Sequence, residues 1–401
     1  MIVLDTRWIT DSPSGIGVYA REMLTRIPRL APDLRFHALF RAEAYRDATW
    51  RDYGLDGQEN LTSSIVPCGP FSPKSQWVLP PLLKKLHTTL FHSPNYLIPY
   101  LAFQGPRRGP RKANMTCIAN IHDIIPLVVK DYAPNSRTSR LKGIYRFCLR
   151  ETLKRTTVIT GSEATKRDLI AELHLPDALS SRIHVIFDGA DSTAPCNAAT
   201  PAAAGNSATS ATLQPCNRGE SAARILLYVG RMDPYKNVPL LVDALKEIQS
   251  LCPFPVRLRV VGPKDPRYPE AELRAAELGL SDSVEFTGFV STEELANAYR
   301  TADLLTHPSR YEGFGLQIVE AMRAGLPVLC TDGGSQPEVA GDAAVVVPHD
   351  DPHALAAAAA ALLQDPARMT DLRARGLERA PQFTWDRTAR ETLALYRAVL
   401  A

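Results

Sequence analysis

Short apolar runs alternate along this chain with stretches whose apolar positions recur every three to four residues. The first period fits buried strands and the second amphipathic helices. In the first half MIVLDT, RFHALF, TTLFHSP, TCIANIHD, TVITGS and IHVIFDG predict strands, with helices between them such as 17–30 and 163–174. In the second half RILLYVG, RLRVVGP, VEFTGFV, LLTHPS, PVLCTD and AAVVVP predict strands, with helices near 237–250, 269–279, 292–301, 315–325 and 352–363. Such alternation is the pattern of doubly wound α/β domains. Residues 192–223 interrupt it, being poor in large apolar side chains and rich in Ala, Ser, Thr, Pro and Asn, and they read as a flexible insertion between two domains. The expected division is therefore a domain over 1–190, a linker over 191–223, and a second domain over 224–383. Two such sheets facing each other leave a cleft beyond the carboxyl ends of their strands, where ligands of open parallel sheets bind.

Composition adds bounds. A chain of 401 residues has room for two to three cores, and 45% hydrophobic with 22% charged residues is ordinary for a globular protein. No apolar run is long enough for a membrane-spanning helix, and the start, MIVLDTRWITDSPSG, lacks the layout of a signal peptide, so a cytoplasmic location is expected. The seven cysteines are scattered without a C-x-x-C pair or a His/Cys metal spacing, which fits free thiols in a reducing compartment. The net charge of +3 is unevenly placed: residues 1–190 hold 26 Lys+Arg against 17 Asp+Glu, hence +9, leaving 20 against 26, hence −6, for the remainder. The first half is the one that would approach something anionic.

Candidate chemistry is densest in SRYEGFGLQIVEAMRAGLPVL, residues 309–329. A helix is predicted from about Leu316, fed by the Gly313-Phe314-Gly315 turn, with Glu312 in the loop and Glu320 on the second turn. Backbone N–H groups and the peptide dipoles make such a helix start a phosphate cradle. Carboxylates beside a phosphate make sense when they face neutral hydroxyls, which points to a sugar and a ribose. In LLYVGRMDPYKN a strand end delivers Arg231 and Lys236, two cations suited to a diphosphate. SVEFTGFVSTEEL places Gly288, Phe289 and Val290 in a turn whose main chain could read a nucleobase edge, ahead of a Ser291/Glu294 capping box. NIHDIIP sets His122 and Asp123 at a strand's carboxyl end, and DSPSGIGVYAREML sets Gly15 and Gly17 ahead of a helix. The third glycine and the acid about 20 residues on that mark a dinucleotide fold are missing there. Taken singly, each segment also reads as plain structure: a capped helix, a solvated basic loop, a histidine satisfied by backbone.

Together RYEGFGLQIVEAMRAGLPVLCTD, VGRMDPYKN, VVGP, TGFVSTEEL, ITGSEATKRDLI and IHDIIP resemble the retaining nucleotide-sugar glycosyltransferases of family 4, over nearly the whole chain except 192–223. The resemblance implies the GT-B fold, two Rossmann-like doubly wound domains facing each other across a cleft, the first binding acceptor and the second donor. It implies that Arg231 and Lys236 hold the donor diphosphate with the N–H groups of Phe314, Gly315 and Leu316. Glu312 would then bind sugar hydroxyls and Glu320 the ribose. His122 would contact the sugar near its anomeric centre, Gly15 and Gly17 would let the first loop approach the phosphates and acceptor, and Ser162 in GSEATK would face the cleft. The last segment, FTWDRTARETLALYRAVL, resembles a helix (384–401) that packs back on the first domain through Leu393, Leu395, Tyr396 and Val399. No cofactor or metal is expected, since no D-x-D pair stands at a strand end and Arg231, Lys236 and the helix start supply the positive charge. The family implies retention of configuration, by same-face attack with the leaving phosphate accepting the acceptor's proton.

HDIIPL with a following YAP resembles bacterial surface-polysaccharide mannosyltransferases that use GDP-mannose, whereas UDP-glucose or UDP-N-acetylglucosamine remains an open alternative donor. Basic segments at 106–112 (PRRGPRK) and 137–155, where Leu141, Ile144, Cys148 and Leu149 accompany seven cations, suit an anionic membrane surface and a lipid-linked acceptor. Peripheral attachment to the inner face of the cytoplasmic membrane is the corresponding expectation, and no nucleic acid is expected as a partner. A sugar-nucleotide epimerase and a non-catalytic nucleotide-binding subunit remain as alternatives of another class.

Overall fold

Thirteen strands, all paired in parallel, form two sheets among the described residues of the computed structural model, which are 1–11, 14–103, 115–130, 132, 134, 141–190 and 223–401. The basic segment 106–112, the start of the 137–155 segment and nearly all of the 191–223 linker lie outside the described residues.

The first unit takes the described residues of 1–128, 140–192 and 383–401. Its elements run β1 (Ile2–Asp5), α1 (Gly15–Leu30), β2 (Phe36–Phe40), α2 (Glu43–Tyr53), β3 (Leu61–Ile65), α3 (Ser75–Lys85), β4 (Leu90–Ser93), β5 (Thr116–Asn120), α4 (Ile125–Val128), α5 (Lys142–Leu153), β6 (Thr157–Thr160), α6 (Glu163–Leu173), α7 (Asp177–Ser180) and β7 (Ile183–Val185). The strand order is β3-β2-β1-β4-β5-β6-β7. Because side chains alternate along a strand, β5 sends Ile118 to one face and Cys117 and Ala119 to the other. Ile118 joins Ile2, Leu4, Met23 and Ile27 in a core beneath α1, whereas Cys117 and Ala119 join Val3, Phe91, Leu79 and Leu83 beneath α3. Burying a side chain such as Met23 or Ile27 contributes roughly 1.5–3 kcal/mol.

The second unit runs β8 (Arg224–Val229), a 3₁₀ turn at Pro234–Lys236, α8 (Val238–Leu251), β9 (Val256–Val261), α9 (Glu270–Glu277), β10 (Val284–Gly288), α10 (Thr292–Thr301), β11 (Leu304–His307), α11 (Leu316–Arg323), β12 (Val328–Thr331), α12 (Gln336–Ala340), β13 (Ala344–Val347), α13 (Pro352–Leu363) and α14 (Pro366–Arg379). Its order is β10-β9-β8-β11-β12-β13. The strand sequence reverses direction between β8 and β11, and parallel sheets bind ligands at such a switch point.

The last helix, α15 (Trp385–Leu400), packs in the first unit against α1, burying Trp385, Ala389, Leu393, Leu395 and Tyr396. No described helix is long and apolar enough to cross a membrane.

Three local features bear on these readings. Gly15 and Gly17 lie inside the first turn of α1 rather than ahead of it, because Ser14 caps the helix by accepting from the Gly17 N–H at 3.1 Å. Ser162 is fully buried as the cap of α6, accepting from the Thr165 N–H at 3.0 Å. In α5 the four apolar residues do not share a face: Leu149 enters the core with Tyr145 and Leu153, while Leu141 and Ile144 point outward and Cys148 is half-buried.

Candidate functional site

At the switch point of the second unit, the loop after β8, the end of β11 and the loop that follows it bring three ionisable side chains together. Lys236 Nζ lies 2.6 Å from Glu312 Oε1, and His307 Nε2 lies 3.0 Å from the same oxygen. All three are buried. Burial opposes charge on both members of the pair, but each offsets that for the other. Lys236, with His307, holds the Glu312 carboxyl well below the usual carboxylate range, and Glu312 holds Lys236 well above the ordinary lysine value. The Tyr235 ring lies 5.1 Å from Lys236 Nζ, a cation–π contact. One of the three ammonium N–H donors is spent on Glu312, which leaves two for a ligand.

The Glu312 loop is fastened from below. Ser335 Oγ donates to the Glu312 and Phe314 carbonyls at 3.0 and 2.8 Å, and Gln336 Nε2 donates to the Ser309 carbonyl at 2.8 Å. This needs Gly334, which has φ +67° and where a Cβ would sit 2.4 Å from the Glu312 oxygen. Gly315, at φ +93°, turns the chain into α11, whose first residue is Leu316. The first N–H groups of a helix have no partner within it, so the α11 start offers anion-binding donors on the same segment as Glu312.

Arg231 is exposed and its Nε lies 2.9 Å from Asp233 Oδ2, while the Tyr228 hydroxyl donates to the Arg231 carbonyl at 2.7 Å. Glu320, on α11, accepts from the Tyr299 hydroxyl at 2.6 Å. Burial raises its carboxyl, only partly countered by that bond, so the two glutamates differ: Glu312 is firmly ionised and Glu320 is nearer to protonation. Gly288 ends β10 at φ +74°, and Phe289 beyond it is 77% exposed, with Val290 half-buried.

In the first unit His122 follows β5. Its Nε2 lies 3.1 Å from the Pro94 carbonyl and its Nδ1 3.6 Å from Asp188 Oδ2, so both nitrogens face acceptors. Burial opposes the imidazolium, but Asp188 outweighs it and raises the ring above its ordinary value. The Tyr19 ring packs edge-on at 5.2 Å. Asp123 instead accepts from the Ile125 N–H at 3.1 Å and so shapes the turn into α4. His92 is the opposite case: wedged between Tyr396 and Asn120, it is pushed down to about 4 by burial and stays neutral. Gly15 has open space where a Cβ would be, whereas a Cβ on Gly17 would lie 2.7 Å from the Trp8 carbonyl.

Arg231, Lys236, Glu312, Gly313, Phe314, Gly315, Leu316 and Glu320 thus cluster on adjoining loops and one helix, with His122, Gly15, Gly17 and Ser162 in the other unit. Sequence reading missed His307, Tyr299, Asp188 and the Gly334-Ser335-Gln336 fastening. The segment DGGSQPE carried a usable sign of the last, a Gly-Gly turn ahead of a helix with Pro in its first turn.

Similarity to known proteins agrees with this geometry. Glycosyltransferase Family 4 matches over residues 13–193, and Glycosyl transferases group 1 over 217–380. The O-antigen chain mannosyltransferase B of Escherichia coli is 35% identical over 175 residues, 43% of this chain and 45% of that protein. A D-inositol 3-phosphate glycosyltransferase of Kineococcus radiotolerans is 38% identical over 192 residues, 44% of each. The chain thus spans about half the length of the curated relatives it matches. A sucrose-phosphate synthase structure from Thermosynechococcus elongatus superposes with a TM-score of 0.70 at 22% identity, over 99% of this chain and 98% of that one, and shares the two-sheet fold. A glycosyltransferase family model thus matches each sheet unit, Family 4 the first and group 1 the second, and the chain has the GT-B fold.

Proposed function

We propose that this protein transfers a hexose, mannose from GDP-mannose, to a lipid-linked saccharide in the synthesis of a bacterial surface polysaccharide, with retention at the anomeric carbon. The observation that carries the reading is the buried Lys236–Glu312–His307 group beside the glycine-fed start of α11. Such a site offers fixed positive charge to a diphosphate and a fixed carboxylate to sugar hydroxyls. Likeness to an O-antigen mannosyltransferase supports mannose as the sugar. Arg231, Lys236 and the α11 N–H groups are assigned to the diphosphate, Glu312 to the sugar, Glu320 to the ribose and the 288–290 turn to the base. His122, whose ring Asp188 raises above its ordinary value, is assigned to the sugar, and no metal is assigned.

In the reaction the anomeric carbon–oxygen bond breaks with its electron pair going to the diphosphate. The acceptor oxygen bonds to the same face, and its proton passes to the leaving phosphate. Arg231 and Lys236 stabilise the charge that builds on that phosphate, where it is largest in the transition state.

The test is thermal stability against GDP-, UDP- and ADP-sugars and the free nucleotides, since a ligand that binds only the folded state raises Tm. A rise confined to GDP and GDP-mannose, lost in Arg231→Ala and Glu320→Ala, is expected. A rise confined to UDP-sugars replaces the donor, and release of free sugar without an acceptor points to an epimerase. No rise with any nucleotide removes the assignment.

A further inference from the structure

One face of the first unit is built as an apolar and cationic layer that the donor site does not use. Along α3 the outward stripe is Lys74, Trp77, Val78, Pro81, Lys84 and Lys85, while Ser75, Leu79 and Leu83 turn inward. Along α5 the outward stripe holds Leu141, Ile144, Phe147, Arg150 and Lys154. Both helices lie on the same side of the sheet: Cys117 and Ala119 of β5 pack under α3, and Ile121, two residues on and of the same parity, packs under α5. The connection after β4 joins them. Gln76 donates to the Ile98 carbonyl at 2.9 Å, and the Tyr100 hydroxyl donates to the Cys148 carbonyl at 3.3 Å. Leu101 projects from that connection.

Trp77 is 67% exposed, Phe147 64%, Leu101 62% and Ile144 58%, which is unusual company for one layer. The charge around them is one-sided. The described residues of the first unit between 60 and 150 carry six Lys+Arg and one acid, Asp123. Lys74, Lys84, Lys85 and Lys142 have no carboxylate within ion-pair distance among the described residues, whereas Arg146 pairs with Glu172 at 3.1 Å and Lys154 with Glu151 at 2.7 Å. Tryptophan and phenylalanine among lysines are side chains that settle at the boundary between lipid headgroups and acyl chains.

We propose that the α3/α5 layer seats the protein on an anionic phospholipid bilayer, with Trp77, Leu101, Ile144 and Phe147 entering the headgroup boundary and the lysines facing lipid phosphates. This deepens the lipid-linked acceptor reading and takes its functional meaning from it, although the binding is measured without any substrate. It favours a bilayer over a protein partner because the cations surround the apolar side chains on both helices, with few acids to suit a mixed-charge interface.

The experiment is co-sedimentation of the full chain with vesicles of phosphatidylcholine alone or mixed with phosphatidylglycerol. The wild type should bind the mixed vesicles, bind phosphatidylcholine poorly, and release as salt rises. Each lysine near an anionic surface is worth about 1 kcal/mol, so Lys84→Gln/Lys85→Gln should weaken binding about 30-fold. Phe147→Ser should weaken it further, and Arg51→Gln, the loss of one cation on exposed α2, should leave it unchanged. All these side chains are at the surface, so the folds should survive, which the nucleotide-induced rise in Tm checks in the same samples. No binding to mixed vesicles, or equal loss in Arg51→Gln, overturns the proposal. So does a wild-type dimer that Phe147→Ser splits while vesicle binding persists, which would make the layer a protein interface. If vesicle binding fails while nucleotides still raise Tm, the membrane inference falls and the glycosyltransferase reading stands; the reverse pattern separates them the other way.

Discussion

Replacing Glu312 by Gln keeps the shape of the site and an oxygen to face Lys236, but removes the only carboxylate within ion-pair distance of that buried ammonium among the described residues. Removing one partner of a buried ion pair typically costs about 3–5 kcal/mol, because the charge left behind is no longer compensated. The ammonium can escape by losing its proton, and this sets a ceiling. From the ordinary lysine value of 10.5, neutralising it at pH 7 costs about 1.36 × (10.5 − 7), or about 4.8 kcal/mol. At pH 9 the same ceiling is about 2.0 kcal/mol. In the wild type Lys236 is held above 10.5, so its contribution is fully present below that pH and is lost only as pH rises through the folded value. Glu312 is held below 4.5, so its contribution is present above that pH and is lost as pH falls through the folded value. Between those limits the wild-type pair contributes a constant amount, and the variant's deficit alone varies with pH. For a unit of this size 1 kcal/mol moves Tm by about 2–4 °C, so the variant should melt about 10 °C lower at pH 7 and less than about 8 °C lower at pH 9. Scanning calorimetry of both proteins at pH 7, 8 and 9 reads this directly. A difference under about 2 °C at pH 7, or one that does not shrink by pH 9, would refute the buried ion pair on the scale used here. The double variant Lys236→Met/Glu312→Gln should regain much of the loss, since no uncompensated charge remains.

Other outcomes follow from the same geometry. Tyr299→Phe removes the donor that counters the burial of Glu320, so the pH above which nucleotide binds should move upward, as calorimetric titration at several pH values would show. Asp188→Asn should lower the His122 titration seen by NMR. Because the wild-type ring is raised, its stabilisation is present below about pH 6.5 and is lost as pH rises through the folded value, so the variant's deficit should narrow toward alkaline pH. Gly17→Ala drives a methyl against the Trp8 carbonyl and should cost about 1–3 kcal/mol in a urea melt, whereas Gly15→Ala, with open space, should stay within about 0.5 kcal/mol.

The fold class was legible because nearly every strand is a compact apolar run, and each helix that carries a candidate residue has its own start signal. What escaped has physical reasons. LTSSI, the edge strand β3, has only Leu61 and Ile65 as strong apolar residues, because an edge strand buries less. Helix α3 carries Pro80 and Pro81, which remove two hydrogen bonds and read as a break, yet Leu79 and Leu83 still pack it onto the sheet. In the site, Glu312, Gly315 and Glu320 lie within one turn-and-helix signal and were found together. His307 belongs to a buried strand run that gives no cue to its ring. Asp188 lies 66 residues from His122, and Ser335 reaches Glu312 only through a turn after β12. Partners that meet only through tertiary structure leave no periodicity to read. The outward face of α5 escaped for a related reason: its apolar residues circle most of the helix, and only packing decides which of them the sheet takes.

The most direct test of the account is transfer itself. The purified chain would be incubated with bacterial membranes and GDP-mannose labelled in the sugar, and label would be followed into the lipid extract alongside released GDP. The account predicts label in lipid and GDP in equal amounts from the wild type, and neither from Glu312→Gln. Free labelled mannose without a lipid product, or GDP-mannose left intact by a chain that nucleotides do not stabilise, would contradict it.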